Sequence, residues 1–214
     1  MECKNVLGRC AIVAAADGRL SREMLEGCSL VIAADAGYKR LAGIGVKPDV
    51  LIGDFDSSER PMTDIPTITH PCEKDDTDTG LSAEYAYELG CRDISIYCAS
   101  GGRPDHEYAN YQLLTSLARR GCKAVMYGTD FDIYALHGTP DAPAHLTFEA
   151  GYGILSVFCA GEKAEGVTLR GLKYTLEGHT LTCDYALGVS NERTGEEAFI
   201  EVKNGTLIVM AEVK

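Results

Sequence analysis

Several apolar runs in the first half of this chain end at acidic residues that lie beside glycine. Leu30–Ala34 is followed by Asp35-Ala36-Gly37, and Val50–Ile52 is followed by Gly53-Asp54-Phe55-Asp56. Each run is typical of a buried strand that delivers a carboxylate to the edge of a sheet. Asp54 and Asp56 are two positions apart, so on an extended backbone they share a face. Because paired carboxylates repel each other without a cation, and because Mg²⁺ prefers hard oxygen ligands, the pattern predicts a Mg²⁺ site and phosphate chemistry.

Two further polar clusters follow, Lys74-Asp75-Asp76-Thr77-Asp78 and, after the apolar run Ile94–Ala99, Gly101-Gly102-Arg103-Pro104-Asp105-His106. Each has a purely structural alternative. Asp beside Gly is common in turns, and Asp78 could be the N-cap or a first-turn anion of a helix. Asp105 could cap the next helix while Arg103 pairs with it at the surface. Four such clusters in one half of a chain nevertheless favour a site, because ligands of open α/β sheets bind outside the carboxyl ends of the strands.

The last of these clusters has the residue types that bind phosphate. Arg103 can make two parallel hydrogen bonds to a phosphate, and Gly101-Gly102 permits close approach of a ligand to the backbone. His106 and Asn110 are four residues apart on the predicted helix, so they face the same way. These residues are therefore candidates for contact with a polyphosphate.

Composition excludes some classes of partner and compartment. The net charge of −12 argues against nucleic acid as a partner, because phosphate backbones are bound mainly by Lys and Arg. No apolar run approaches the roughly 18 residues of a membrane helix. The N-terminus lacks the apolar segment of a signal peptide. The nine cysteines contain no CxxC pair, and an odd number cannot all pair. We expect a cytoplasmic protein that does not bind a membrane.

Up to about residue 129, short apolar runs alternate with helical patterns, which predicts a mostly parallel α/β sheet. The predicted strands are Cys10–Ala16, Leu30–Ala34, Val50–Ile52, Ile94–Ala99 and Lys123–Tyr127. One helix is predicted over Thr79–Leu89, where apolar residues recur every four positions before Gly90. Another is predicted over Asp105–Arg120, before Gly121.

After residue 129 the helical period disappears, and short β-rich segments are separated by Gly, Pro or Asn. Their regular spacing predicts an antiparallel sandwich. Asn204-Gly205 is a strong hairpin signal between the last two. We therefore predict an N-terminal nucleotide-binding domain over residues 1–129 and a C-terminal β-sandwich over residues 130–214. The predicted strands are Phe131–Leu136, His145–Phe148, Ile154–Cys159, Val167–Arg170, Thr180–Cys183, Ala198–Lys203 and Thr206–Val213.

Taken in order, these motifs make the chain resemble the thiamine pyrophosphokinase family. Two features of the C-terminal half add to the resemblance, and the set spans residues 33 to 192. Each motif alone is weak, whereas the ordered set is specific. The motifs are Asp35-Ala36-Gly37, Gly53-Asp54-Phe55-Asp56-Ser57, Lys74-Asp75-x-Thr77-Asp78, Gly102-Arg103-x-Asp105-His106 with Asn110, Gly171-Leu172-Lys173-Tyr174-x-Leu176 and Val189-Ser190-Asn191-Glu192.

The resemblance implies a fold, a reaction and an assembly. The family has an α/β nucleotide-binding domain and a β-sandwich, and it forms homodimers with thiamine bound between subunits. The reaction transfers the pyrophosphoryl group of ATP to the thiamine hydroxyl and yields thiamine diphosphate and AMP. Attack is thus at the β-phosphorus. Because the chain has no Trp, Tyr174 or Tyr185 would have to stack on the thiamine ring if any aromatic residue does.

The resemblance also implies roles for individual residues. Asp54, Asp56 and Asp78 bind Mg²⁺, and Asp35 adjoins them as a further ligand or as an orienting group. Lys74, Arg103 and His106 neutralise charge on the phosphates, and Asn110 orients a phosphate or His106. Asp105, Ser190 and Asn191 contact thiamine. The expected catalytic residues are Asp54, Asp56, Asp78, Arg103 and His106.

Two alternative functions remain at this point. A Mg²⁺-dependent phosphohydrolase in which the first Asp of Asp-x-Asp becomes phosphorylated would fit Leu51–Asp56 alone. It would not account for Gly102–His106 or for the β-rich C-terminal half. A non-catalytic thiamine or nucleotide-binding protein on the same scaffold would not need three metal-binding carboxylates.

Overall fold

The computed structural model describes residues 8–53, 64–69 and 76–213. These residues divide into two compact units. The first contains the residues up to Leu113 together with Ala124–Thr129, and the second contains Leu114–Lys123 and the residues from Asp130 onwards. No helix in the described part of the chain is both long enough and apolar enough to cross a bilayer.

The N-terminal part alternates strands and helices, as the sequence pattern predicts. Its strands lie in the order β6-β5-β1-β2-β3-β4, and the four neighbouring pairs from β5 to β4 are parallel. The chain order reverses at β1, which has β2 on one side and β5 on the other. The strands are β1 Arg9–Val13, β2 Cys28–Ala34, β3 Val50–Gly53, β4 Thr67–Thr69, β5 Asp93–Tyr97 and β6 Lys123–Tyr127, and the α-helices are α1 Gly37–Gly43, α2 Asp78–Glu88 and α3 Pro104–Arg119.

Local sequence explains where α2 and α3 begin. The Thr77 hydroxyl caps α2, because its Oγ1 accepts a hydrogen bond from the Gly80 N–H at 3.1 Å. Asp78 is therefore not the N-cap but the first helical residue, where a carboxylate interacts favourably with the helix dipole. In α3, Pro104 occupies the first helical position, where its missing N–H costs nothing.

The second unit contains an antiparallel sandwich, in which one layer has the strand order β12-β9-β14-β7 and the other is a four-stranded sheet with the order β11-β10-β13-β8. Alternate apolar residues from both sheets form one buried core, with Leu155 and Val209 on one side and Val167, Leu181 and Ile200 on the other. The strands are β7 Phe131–Gly138, β8 Ala144–Phe148, β9 Tyr152–Cys159, β10 Lys163–Arg170, β11 Leu176–Thr182, β12 Gly188–Thr194, β13 Ala198–Val202 and β14 Gly205–Glu212.

The prediction of a hairpin at Asn204-Gly205 is wrong. The flanking strands β13 and β14 belong to different sheets, so the turn carries the chain from one layer of the sandwich to the other. The reason is a tertiary contact: Asn204 Nδ2 donates to Glu165 Oε2 at 2.8 Å, and the Lys203 and Asn204 N–H groups both donate to the Glu165 carbonyl. These bonds hold the turn against β10.

Three of the described strands and α-helices have no predicted counterpart, and two predicted strands end too late. β4, α1 and β12 were not predicted, because their short segments are polar or small-residue sequences without a clear period. β1 ends at Val13 and β5 at Tyr97. Cys98 has φ of 55°, which ends the extended conformation of β5.

Candidate functional site

The carboxyl ends of β1 and β5 meet at the point where the strand order reverses. Crevices of this kind are where open α/β sheets bind ligands. After β1, the Ala14 N–H donates to the Tyr97 carbonyl and the Ala16 N–H to the Cys98 carbonyl, both at 2.9 Å. The loop after β1 therefore runs along the end of β5. A Cβ atom at Gly18 would lie 3.2 Å from Cys98 Cα, so the glycine permits this close packing.

Asp35 lies at the end of β2 in a left-handed conformation, with φ of 46°. Its N–H donates to the Ile52 carbonyl at 2.8 Å. A Cβ atom on Gly53 would lie 3.1 Å from Asp35 Cα, so only glycine fits there without displacement. Asp35 therefore packs against Gly53, the residue directly before Asp54 in the sequence. Asp54, Asp56 and Lys74 lie outside the described residues.

Asp78 is half-buried in the first turn of α2. This helix packs against β1, β2 and β3, the strands whose ends form the candidate site. The neighbouring Asp76 is exposed, and its Oδ1 accepts a hydrogen bond from the Thr77 N–H at 2.7 Å. Asp76 therefore supports the start of α2, whereas Asp78 is the carboxylate that the helix itself positions.

The described residues alone do not form a metal site. Within residues 8–53, 64–69 and 76–213, no three His, Cys, Asp or Glu side chains form a group that could hold a metal. Asp35 follows β2 and Asp78 begins α2, and both provide hard carboxylate oxygens, which are the donors that Mg²⁺ prefers. These two carboxylates suit Mg²⁺ by their chemistry, although they do not complete a set of ligands by themselves.

Arg103 and Asp105 form an exposed ion pair at the start of α3. Arg103 Nε lies 3.2 Å from Asp105 Oδ1, and Arg103 Nη2 lies 2.6 Å from Asp105 Oδ2. The hydrogen bonds from Arg103 lower the pKa of the Asp105 carboxyl to about 2, and the same contact raises the pKa of Arg103. Both groups are therefore charged at neutral pH. His106 is exposed beside them, so these side chains are accessible to a ligand.

The glycine loop before Arg103 is held in place by α3. The Asn110 amide, which is buried, donates to the Ala99 carbonyl at 2.8 Å. Glu107 Oε2 accepts a hydrogen bond from the Gly101 N–H at 3.2 Å, and Glu107 Oε1 accepts one from the Tyr111 hydroxyl at 2.6 Å. Asn110 thus contacts the backbone of the segment that leads into the glycine loop. Glu107 was not predicted, because a Glu in the first turn of a helix has an ordinary structural role.

In the second unit, the two residues predicted to contact thiamine have different environments. Ser190 is exposed, with φ of 54°, and its N–H donates to Ser156 Oγ at 2.9 Å. Asn191 is only 3% exposed. Its Oδ1 accepts from the Tyr174 and Glu192 N–H groups at 3.0 and 2.9 Å, and its Nδ2 donates to the Tyr174 carbonyl at 2.7 Å. Asn191 therefore joins the Tyr174 segment to β12.

Exposed apolar side chains lie in the segments next to Ser190. In the same segments, Lys173 Nζ lies 2.7 Å from Glu192 Oε1. Both Tyr residues considered above for stacking are among these exposed side chains. The exposed fractions are 61% for Tyr174, 67% for Tyr185, 41% for Leu187 and 50% for Val189.

Comparison with known families matches both halves of the chain. The family model described as "Thiamin pyrophosphokinase, catalytic domain" matches residues 21–126, and the one described as "Thiamin pyrophosphokinase, vitamin B1 binding domain" matches residues 145–207. Together they span most of the sequence. The chain belongs to the thiamin pyrophosphokinase family. The resemblance found in the sequence motifs is therefore confirmed.

Individual relatives agree with this family membership. The thiamine pyrophosphokinase of Bacillus subtilis (strain 168) is 28% identical over 188 residues, which are 85% of this chain and 86% of the relative. The crystal structure of a thiamine pyrophosphokinase from Bacillus subtilis has a TM-score of 0.81 at 26% identity, over 96% of this chain and 99% of that one. A Candida albicans thiamin pyrophosphokinase has a TM-score of 0.78 at 15% identity, over 97% and 89%, and shows the fold alone.

The predicted site residues lie within the two ranges that the family models match. All predicted site residues of the first half lie within the matched range 21–126, and Ser190 and Asn191 lie within 145–207. The loop Ala14–Gly18 precedes the first matched range, although the structure places it directly after β1, where the strand order reverses. The sequence predicts no role for this loop, because Ala14-Ala15-Ala16-Asp17-Gly18 has a single glycine and lacks the other signals of a binding loop. The available signal was its position directly after the first strand.

Proposed function

We propose that this chain is an ATP-dependent thiamine diphosphokinase, which transfers the pyrophosphoryl group of ATP to the thiamine hydroxyl and releases AMP. The observation that carries the proposal is the pair of family matches, catalytic and vitamin B1 binding, in consecutive parts of one chain. The family is a transferase family, so neither the phosphohydrolase nor the non-catalytic alternative gains support. The polar residues at the carboxyl edge of the sheet provide the chemistry for this reaction.

The N-terminal domain, residues 1–129, would bind ATP and Mg²⁺. Asp54, Asp56 and Asp78 would hold the metal, with Asp35 as a further ligand or as the residue that orients them. When bound, Mg²⁺ neutralises charge on the phosphates of ATP. Asp35 supports this assignment, because its Cα is adjacent to Gly53, the residue before Asp54. The half-buried position of Asp78 at the start of α2 supports it as well.

The cationic residues would orient and neutralise the polyphosphate. Phosphoryl-type transfer depends on positioning and charge neutralisation more than on covalent help from the protein. Arg103 and His106 are exposed at the start of α3, where they can donate hydrogen bonds to phosphate oxygens, and Lys74 would add a third cation. Asn110 would act by fixing the Ala99 carbonyl, and with it the glycine loop beside the phosphates.

Within the cluster Arg103–His106, Asp105 would be the residue that contacts thiamine. It remains ionised well below neutral pH, so it can contact the aminopyrimidine or accept a hydrogen bond from the reacting hydroxyl. In the resting arrangement it pairs with Arg103. Binding of ATP would give the Arg103 guanidinium a second anionic partner, and its five N–H donors are sufficient for both.

The C-terminal domain, residues 130–214, would bind thiamine and form the dimer. Ser190 is exposed and can hydrogen-bond to the pyrimidine edge. Asn191 would act through Tyr174, whose backbone it holds on both sides. The exposed side chains of Tyr174 and Tyr185 are available to stack on the ring or to pack against a second subunit. We propose a homodimer in the cytoplasm with thiamine at the subunit interface.

The direct test is product analysis with purified protein, ATP and Mg²⁺. We expect AMP and thiamine diphosphate in equal amounts, and no AMP when thiamine is omitted. Release of inorganic phosphate without an acceptor would instead support the phosphohydrolase. Binding of thiamine or ATP with no turnover would support a binding protein. Replacing Mg²⁺ with EDTA provides the metal-free control, in which product formation should stop.

A further inference from the structure

The loop Ala14–Gly18 is fixed to elements on both of its sides. Toward β5, the Ala14 and Ala16 N–H groups donate to the carbonyls of Tyr97 and Cys98. Toward α1, the Arg40 guanidinium reaches back to the loop. Arg40 Nε and Nη2 lie 3.4 and 3.3 Å from the Ala15 carbonyl, and Arg40 Nη2 lies 2.5 Å from Asp17 Oδ1.

The side chains of the loop contribute little to fixing its conformation. Its sequence is Ala-Ala-Ala-Asp-Gly, so at most three methyl groups are available for burial. Ala15 is exposed, and the Asp17 side chain is 94% exposed. The Arg40 side chain is 40% exposed, so it lies partly beneath the surface. Hydrogen bonds to the backbone, rather than apolar packing, therefore determine the position of the loop.

The position of the loop gives Arg40 a functional context. The loop follows β1, where the strand order reverses, and it adjoins the segment that leads from Cys98 to the glycine loop before Arg103. Among the described residues of the first unit, the two that have positive φ without being glycine are Asp35 and Cys98, and they follow the strands on either side of β1. Strained backbone of this kind is found where a site requires a defined geometry.

We propose that Arg40 is a positioning residue for the nucleotide, and that it acts by holding the loop Ala14–Gly18 against the end of β5. The proposal rests on the function proposed above. The loop forms one wall of the nucleotide site, and Arg40 keeps that wall in the conformation that binds ATP. Arg40 suits this task because one planar guanidinium donates to a backbone carbonyl and to a carboxylate at once.

The competing interpretation is a surface ion pair without a role in the reaction. Exposed pairs of this kind contribute little to stability, so both interpretations predict a variant that folds. They differ in the kinetics. If Arg40 positions the loop, its loss lowers the affinity for the nucleotide. If the pair is only a surface contact, its loss changes the affinity for neither substrate.

Arg22 provides a matched control for Arg40. Its Nη2 donates to the Gly45 carbonyl at 2.7 Å, so it too is an arginine that fastens a backbone carbonyl in the first unit. Gly45 follows the C-terminal end of α1 and precedes β3, so this contact lies at the opposite edge of the sheet. Arg22→Ala removes a comparable hydrogen bond without touching the loop Ala14–Gly18.

The test compares Arg40→Ala, Arg40→Lys and Arg22→Ala with the wild-type enzyme in steady-state assays of AMP formation. For Arg40→Ala we expect the KM for ATP to rise roughly 5- to 20-fold, with kcat and the KM for thiamine within about twofold of wild type, because one positioning contact acts on nucleotide binding. Arg40→Lys should recover part of the affinity, and Arg22→Ala should match the wild type. Calorimetric titration of ATP without thiamine should show the same ranking.

Three outcomes would overturn the proposal, and a fourth would overturn the proposed function instead. Unchanged ATP affinity in Arg40→Ala overturns the proposal, and so does an equal loss in Arg22→Ala. A lower melting temperature for Arg40→Ala than for Arg22→Ala, with the KM values of both substrates raised together, also overturns it, because that indicates general destabilisation. If the wild-type protein binds ATP but forms no AMP with thiamine, the proposed function fails, while the calorimetric ranking still tests the role of Arg40.

Discussion

Replacing Asn191 with Ala should destabilise the second unit, although this residue was predicted from the sequence as a thiamine contact. The side chain is almost fully buried and makes three hydrogen bonds to backbone groups of Tyr174 and Glu192. Each such bond contributes about 1 kcal/mol net, and a buried group left without a partner costs about 1–3 kcal/mol. We therefore expect Asn191→Ala to lower the free energy of unfolding by roughly 2–4 kcal/mol.

Ser190 is the matched control for this experiment, because it is the neighbouring residue and its side chain is exposed. For a chain of this length, each kcal/mol of lost stability lowers Tm by about 2–4 °C. In thermal unfolding followed by circular dichroism, Asn191→Ala should therefore lower Tm by roughly 5–15 °C, whereas Ser190→Ala should change Tm by no more than about two degrees. Ser190→Ala should instead raise the KM for thiamine about fivefold, the effect of one neutral hydrogen bond. A wild-type Tm for Asn191→Ala would refute the structural role assigned to this side chain.

Three further predictions concern the catalytic residues and the dimer. Asp54→Asn or Asp56→Asn should abolish turnover in the AMP assay without changing Tm, and wild-type kcat at saturating Mg²⁺ would exclude them as ligands. Because Arg103 depresses the pKa of Asp105 to about 2, the ion pair should persist at neutral pH and be lost only as pH falls from about 4 toward 2. Arg103→Ala should return the pKa of Asp105, measured by NMR, toward its usual value, and it should raise the KM for ATP. Mixing inactive Asp54→Asn and Ser190→Tyr proteins should restore up to about a quarter of wild-type activity if each site draws on two subunits, whereas no recovery after verified subunit exchange would place each site within one chain.

The general architecture could be predicted from the sequence because its signals are local and repeated. Apolar runs such as Leu30–Ala34 and Lys123–Tyr127 coincide closely with observed strands, and the helices α2 and α3 differ from their predicted bounds by one residue at each end. The change from a helical to a strand pattern after residue 129 correctly indicated a sandwich. The period of the apolar residues and the positions of turn residues are sufficient to assign helices and strands of this kind.

Features that depend on tertiary contacts could not be predicted in this way. Asn204-Gly205 has a hairpin sequence, but the hydrogen bonds to Glu165 direct the chain to the other sheet. Asn191 has the polarity of a ligand contact, and only the structure shows that its amide is occupied by backbone groups. The contact between Arg40 and the loop after β1 joins residues more than twenty positions apart. No local pattern contains this information.

The measurement that tests the central claim most directly follows the phosphorus atoms of ATP. In parallel reactions with thiamine, Mg²⁺ and ATP labelled with ³²P at the α or the β position, attack at the β-phosphorus should place the β label in thiamine diphosphate and leave the α label in AMP. Appearance of the β label in ADP, or formation of labelled AMP and pyrophosphate in the absence of thiamine, would contradict pyrophosphoryl transfer by this protein.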